Sequence, residues 1–179
     1  MQEDKNIGYI PVMEVGVTTI PLPGLDLDFW VKKCYELKSS FPSREKSNRG
    51  GWQSQEMEEE FKFFKLINFI NPILANFHKS PNIIISEMWV NISSHGHFNS
   101  IHHHNAPNQQ IDKTSGVLYL KVPPNSGNII FYDPGNLSRQ TEIPPTEGYL
   151  FLFPSSLYHS VSPNQSTEDR ISIAFNCNK

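Results

Sequence analysis

His102, His103 and His104 stand in a row, and His159 and Arg170 follow them far downstream. Imidazoles are costly to hide and well suited to holding a metal ion. Extended backbone points alternate side chains the same way, so His102 and His104 can reach one ion while His103 faces away. His159 comes just after the apolar run Leu150-Phe151-Leu152-Phe153 and Pro154, where a small barrel can return the chain to the same interior. Neutral imidazole suits iron(II), zinc and copper, and the ordered set reads as a mononuclear iron site.

The third ligand stays open at this point. Non-haem iron(II) sites commonly use two histidines and one carboxylate. Here the residue two beyond His102 is His104. Either His102, His104 and His159 form a three-histidine site, or a carboxylate joins His102 and His159, with Asp133 the first candidate and Asp112 the next. A shifted register would instead aim His103 at the metal, followed by Asn105. Against all three stands a plainer reading: histidines gather in polar loops without binding anything, and His95 and His97 show that this stretch is rich in them. His78, at the end of a helical pattern, reads as a dipole partner or an exposed residue.

Arg170 opens the apolar run Ile171, Ile173, Phe175. An arginine turned into a barrel is expensive without an anion. Its planar fork matches a carboxylate with two parallel hydrogen bonds. Ser172 shares its face and could add a hydroxyl donor. The plainer alternative is a surface pair with Asp169 or Glu168.

Elements that could hold these residues follow from the pattern. Ile7 to Pro23 reads as one or two short strands. Asp26 or Asp28 can cap a helix through Phe29, Trp30, Val31, Cys34, Tyr35 and Leu37. Ser39 to Gly51 reads as a loop. A helical pattern runs from about Gln55 to Phe77, with Glu56, Glu58, Glu59 and Glu60 at its start and Pro72 set to kink or divide it. Strands are expected over Ile83–Ile92, Ser115–Val122, Asn128–Tyr132, Gly148–Phe153, Leu157–Val161 and Arg170–Asn176, between Pro/Gly/Asn/Ser turns. This spacing predicts a mainly β fold, a sandwich or barrel, with a helical buttress on one sheet face. Trp89, Phe131 and Tyr132 could wall a pocket or simply fill the core.

The chain of 179 residues suits one domain, 1–179, with helical support over about 25–78 and a barrel core over about 82–176. A net charge of -3 supplies no basic surplus, so nucleic acid is not an expected partner. Cys34 and Cys177 have no ligand-like spacing and read as buried thiols of a reducing compartment. The polar start Met1-Gln2-Glu3-Asp4-Lys5 carries no signal peptide, and no apolar run reaches the ~18 residues that span a bilayer. A soluble, cytoplasmic protein with no membrane partner is expected.

Ordered blocks carry a resemblance. They are Gly50-Gly51-Trp52-Gln53-Ser54, Trp89-Val90-Asn91, Gly96 to His104 with Asn99, and Ser115 to Pro123. Then come Ser126-Gly127 with Phe131, Asp133 and Pro134, then Gly148, Phe153-Pro154-Ser155, His159, Pro163-Asn164 and Arg170 to Asn176. In this order they resemble the iron(II)/2-oxoglutarate-dependent oxygenases of small, prolyl-hydroxylase-like type. The resemblance implies a double-stranded β-helix, a jelly-roll or cupin-like barrel, with Fe(II) at one open end. It implies His102 and His159 as metal ligands, with His104 where related enzymes place their acid. It implies Arg170, supported by Ser172, on the distal carboxylate of 2-oxoglutarate, and Tyr119 and Asn91 near co-substrate or substrate. The chain departs from the family pattern after His104, where Asn105-Ala106-Pro107 opens a longer polar loop ending near Lys113.

The implied activity is hydroxylation of a C–H bond of a small molecule or peptide, releasing succinate and carbon dioxide. Two other classes compete: a cupin-type three-histidine dioxygenase or isomerase that needs no 2-oxoglutarate, and a non-catalytic ligand-binding barrel. Edge strands near the N-terminus could pair across a homodimer.

Overall fold

The computed structural model describes residues 7–12, 15–56, 63–104 and 113–178. Strands β1 (Gly8–Val12) and β2 (Val15–Pro21) form a hairpin. Helix α1 (Leu27–Ser40) follows, then the two-residue strands β3 (Asn48–Arg49) and β4 (Trp52–Gln53), then α2 (Phe64–His78). Eight strands complete the chain: β5 (Ile84–Ser93), β6 (Phe98–His102), β7 (Lys113–Lys121), β8 (Ile129–Asp133), β9 (Asn136–Ile143), β10 (Tyr149–Pro154), β11 (His159–Val161) and β12 (Arg170–Asn178).

They build two antiparallel sheets. One has seven strands in the order β1-β2-β10-β7-β12-β5-β4; the other has five, β3-β6-β11-β8-β9. Apart from β1–β2, β4–β5 and β8–β9, neighbouring strands are far apart in sequence, as when a long hairpin is rolled into a barrel.

Helix α1 starts where Asp26 accepts a hydrogen bond from Phe29 N at 3.0 Å, an N-cap that satisfies one free donor of the first turn. Trp30, Cys34 and Leu37 form its buried stripe, and in α2 the stripe is Leu66, Ile70 and Leu74. The two helices meet where Trp30 stacks on Phe63, ring centroids 5.1 Å apart. Their stripes share one core with Met88, Val90 and Ile92 of β5, Leu118 and Leu120 of β7, Leu150 and Leu152 of β10, and Ile171 and Ile173 of β12. The helices therefore cover one face of the seven-stranded sheet. The alternate residues Tyr119, Phe151 and Phe153 turn to the other face and pack with Ile129, Phe131 and Ile143 of the five-stranded sheet. Phe131 and Tyr132 are core; Trp89 borders the cavity between the sheets.

Three expectations are corrected. Pro72 lies inside α2 without dividing it. Pro72 and Asn68, whose carbonyl loses its helical partner, both face solvent, where water can satisfy the carbonyl. Glu56 sits outside α2, paired with Arg44 at 2.5 Å, and Glu58, Glu59 and Glu60 lie outside the described residues. The stretch Ser39 to Gly51, read as a loop, contains β3, with β4 just after it, and β9 forms where only a turn at Pro134-Gly135-Asn136 was expected.

Candidate metal and anion site

His102 ends β6 and His159 begins β11, and the two residues are direct partners in that antiparallel ladder. One step along, Val161 pairs with Asn99, so two residues of β6 lie opposite one of β11. This bulge sits at Ser100-Ile101. Without it, Asn99 and His102, three apart, would face opposite sides; with it, both line the cavity. His104 lies just beyond β6, fixed by its N–H donating to Ser155 O at 2.8 Å. His103 turns the other way, against the Tyr158 ring at 4.8 Å.

The ligand nitrogens of His102, His104 and His159 all lie within 4.8 Å of one another. Their tautomers follow from their neighbours. His102 Nδ1 is 2.8 Å from Ser100 O, and His159 Nδ1 is 2.9 Å from Leu157 O. A carbonyl can only accept, so both Nδ1 atoms carry the proton and both Nε2 atoms present a bare lone pair. His104 Nε2 lies 3.2 Å from His159 Nε2, a spacing that requires a proton or a cation between the two. Burial pushes all three imidazoles toward the neutral form: His102 below its usual value, His104 down to about 3, and His159 well below 6.5. Each also feels repulsion from its neighbours' charged forms. Neutral imidazole is the metal-binding form.

His104 has deeper support. Ser155 Oγ contacts Ser115 Oγ at 2.9 Å; Ser115 Oγ donates to Asn176 Oδ1 at 2.7 Å, and Asn176 Nδ2 donates to Glu87 Oε2 at 2.7 Å. This chain ties the segment under His104 to β7, β12 and β5.

Across the cavity, on the seven-stranded sheet, stands Arg170, 3 % exposed. Its Nη1 donates to Ser126 O and to Ser162 O. Among the described residues no carboxylate pairs with it. The two acids beside it in sequence are engaged elsewhere: Asp169 accepts from Tyr35 Oη at 3.0 Å and Glu168 pairs with Lys121 at 2.8 Å. The surface-pair alternative for Arg170 is thereby excluded. Gly127 makes room for the guanidinium, since a Cβ there would lie 2.8 Å from Nη1.

Ser172 is paired with Asn91 on one side and Tyr119 on the other, so the three form a row across β5, β12 and β7. All three line the same cavity as Arg170 and the histidines. Asn91 Oδ1 is buried with no hydrogen-bond partner, an acceptor waiting for a donor. Burial pushes the Tyr119 hydroxyl up to about 12, against the opposing pull of Arg170, so it stays a neutral donor.

Asp133 accepts from Gly135 N at 2.8 Å, lies 3.5 Å from Arg139 and is not among the converging ligand groups. Asp112 and Asn105 lie outside the described residues. His95, exposed, contacts Ser166 O at 3.2 Å, and His97 Nδ1 accepts from Ser94 N at 3.1 Å. His78 closes α2 with its ring edge on Phe77. Ser47 and Asn99 line the cavity too. Sequence reasoning assigned neither a role, because Ser47 sits in a polar stretch with no periodicity and Asn99 reaches the cavity only through the bulge.

Residues 134–176 match the model of the family described as "Putative 2OG-Fe(II) oxygenase", a segment that holds His159, Arg170 and Ser172. No curated protein matches the chain by sequence. Among solved structures, a Pseudomonas putida prolyl-4-hydroxylase is similar at 17% identity and TM-score 0.69, covering 93% of each chain. A Trichoplax adhaerens prolyl hydroxylase, solved with a hypoxia inducible factor peptide fragment, is similar at 19% identity and TM-score 0.65, covering 90% of this chain and 82% of that one. The non-haem alpha ketoglutarate dependent epimerase SnoN from nogalamycin biosynthesis reaches TM-score 0.72 at 13% identity, covering 90% of this chain and 76% of that one. The fold is the double-stranded β-helix of the 2OG-Fe(II) oxygenases, and the matched segment agrees with it.

Proposed function

We propose that this chain is an Fe(II)- and 2-oxoglutarate-dependent oxygenase. One observation carries the reading: three neutral imidazoles converge on one side of a cavity, and a buried arginine without a carboxylate partner stands on the other. His102, His104 and His159 hold the iron through Nε2. Arg170 takes the distal carboxylate of 2-oxoglutarate, Ser172 adds its hydroxyl, and Tyr119 and Asn91 line the space between. When bound, iron and co-substrate supply the oxidising chemistry, with dioxygen consumed, succinate and carbon dioxide released and a C–H bond hydroxylated.

The chain's own contribution is placement. The carbonyls of Ser100 and Leu157 fix the ring orientation of His102 and His159 and leave Nε2 basic. The Phe131, Phe153 and Trp89 rings around the histidines exclude water and strengthen every charged contact inside. The guanidinium is held before the anion arrives, so little ordering is left to do on binding.

The substrate class is a small molecule or a peptide: similar structures hold nogalamycin RO in one case and a peptide fragment in another. We assign residues 1–179 to one domain. Two buried free thiols, Cys34 and Cys177, fit a reducing, cytoplasmic setting. Among the described residues no helix is long and apolar enough to cross a membrane. Among the described residues β1 is an edge strand, and we assign it as the edge that pairs in a homodimer.

His104 in place of a carboxylate favours a second reading, a three-histidine metal enzyme that needs no 2-oxo acid. Anaerobic titration of the Fe(II)-loaded protein with 2-oxoglutarate separates the two. A visible charge-transfer band that appears for the wild type and fails for His159→Ala supports the oxygenase. Iron bound without any band transfers the assignment to the second reading.

A further inference from the structure

We infer that the metal site takes one further anion beyond 2-oxoglutarate, received by the hydroxyl of Ser47; this rests on the oxygenase reading above. The first argument is charge. Among the described residues lining the cavity there is no aspartate or glutamate, and Arg170 is the one fixed charge. An imidazole that gives a lone pair to a metal brings none, and His102 and His159 present theirs with the proton held on Nδ1. A divalent ion adds two positive charges and the 2-oxoglutarate dianion removes two, so the charge of Arg170 is left over. Uncompensated charge is expensive away from water. In a site with two histidines and a carboxylate, the carboxylate cancels this charge; with His104 in its place, no described residue lining the cavity does, and an anion from solution can.

The second argument locates it. Ser47 precedes β3 and is stitched to the bulge of β6, its carbonyl accepting from Ser100 N at 2.9 Å and from Ser100 Oγ at 3.2 Å. Its Oγ accepts from Asn99 Nδ2 at 3.1 Å and lies 3.3 Å from His102 Nε2. The His102 proton is on Nδ1, so the Ser47 hydroxyl is the donor in that contact. An ion on His102 Nε2 takes away this acceptor. Asn99 occupies the other side of the oxygen, so the hydroxyl proton is left facing the ion's remaining ligands. A fixed donor beside surplus positive charge selects a monovalent anion, either a carboxylate of the substrate or a small inorganic anion.

The test uses the full chain, loaded anaerobically with Fe(II) and saturated with 2-oxoglutarate, with azide, chloride and acetate titrated in turn. The charge-transfer band comes first: its absence sinks the oxygenase reading and this inference with it. With the band present, saturable perturbation by at least one anion is expected. Ser47→Ala should keep the band and weaken anion binding by about fivefold or more. His104→Asp, which supplies the missing negative charge, should weaken it by at least about tenfold. If His104→Asp no longer holds iron, Ser47→Ala decides alone. No saturable change in the wild type, or an unchanged dissociation constant in Ser47→Ala, overturns the inference. Acetate binding best assigns the place to a substrate carboxylate; azide or chloride binding best assigns it to a free anion.

Discussion

His102 and His159 face each other directly across the β6–β11 ladder, with ring centroids 4.2 Å apart. Strand pairing thus fixes the distance between two candidate metal ligands that are far apart in sequence. Each ring is locked by a carbonyl two residues before it in its own chain, Ser100 and Leu157. The remaining partners of the site are held less directly, and the predictions probe those supports.

Arg170 is expected to be the anchor for the co-substrate. Arg170→Ala should weaken 2-oxoglutarate binding by about 10- to 100-fold, the worth of charge-assisted hydrogen bonds lost in a buried site. Arg170→Lys should recover only part, since an ammonium lacks the planar fork. Anaerobic titration gives both constants; equal affinity in all three proteins would remove Arg170 from the site.

Gly127→Ala should act at a distance from the metal. Its φ is +88°, and a Cβ would lie 2.4 Å from Ser162 O and 2.8 Å from Arg170 Nη1. The guanidinium must shift. A rise in the apparent KM for 2-oxoglutarate of about tenfold is expected, with iron affinity unchanged. Equal losses in both would indicate general unfolding instead.

Acid should destabilise the metal-free protein early. Folding holds His102, His104 and His159 below their ordinary value of 6.5, His104 at about 3, chiefly through burial. Unfolding releases them, so between those values the unfolded chain binds more protons and stability rises with pH. The contribution is complete above 6.5 and is lost as pH falls toward about 3. For His104 alone the loss by pH 4 is roughly 3 kcal/mol. Urea denaturation with a chelator present, from neutral pH to pH 4, reads this directly. A flat profile would mean the imidazoles are solvated.

Asn176→Ala should cost about 1–3 kcal/mol, because Ser115 Oγ and Glu87 each lose a partner. Ser155 is the next member of the chain and its carbonyl holds His104, so iron should dissociate faster as well. A change in urea midpoint without a change in iron release would confine the network to stability.

Most of the fold was legible because its strands have a face. Apolar alternation marks β5, and the near-continuous burial of β7 and β12, covered on both sides, marks those strands. Strand β9, Asn-Leu-Ser-Arg-Gln-Thr-Glu-Ile, is almost wholly exposed at a sheet edge and offers no alternation to detect. Strands β3 and β4 are two residues each and owe their conformation to β6 and β5. The histidines and Arg170 were legible because their types are costly to bury without purpose. Ser47 was not: a serine in a polar stretch acquires meaning only from what the bulge brings beside it.

The histidine ladder belongs to the five-stranded sheet and Arg170 to the seven-stranded one. A dicarboxylate gripped at both ends would therefore act as a rivet through the sandwich, whereas iron alone fastens to one sheet and its margin. Amide hydrogen exchange should slow in β6 and β11 on adding iron, and in β12 only when 2-oxoglutarate joins it. Loss of co-substrate would then free the two layers to slide, and the empty enzyme would be the softer one.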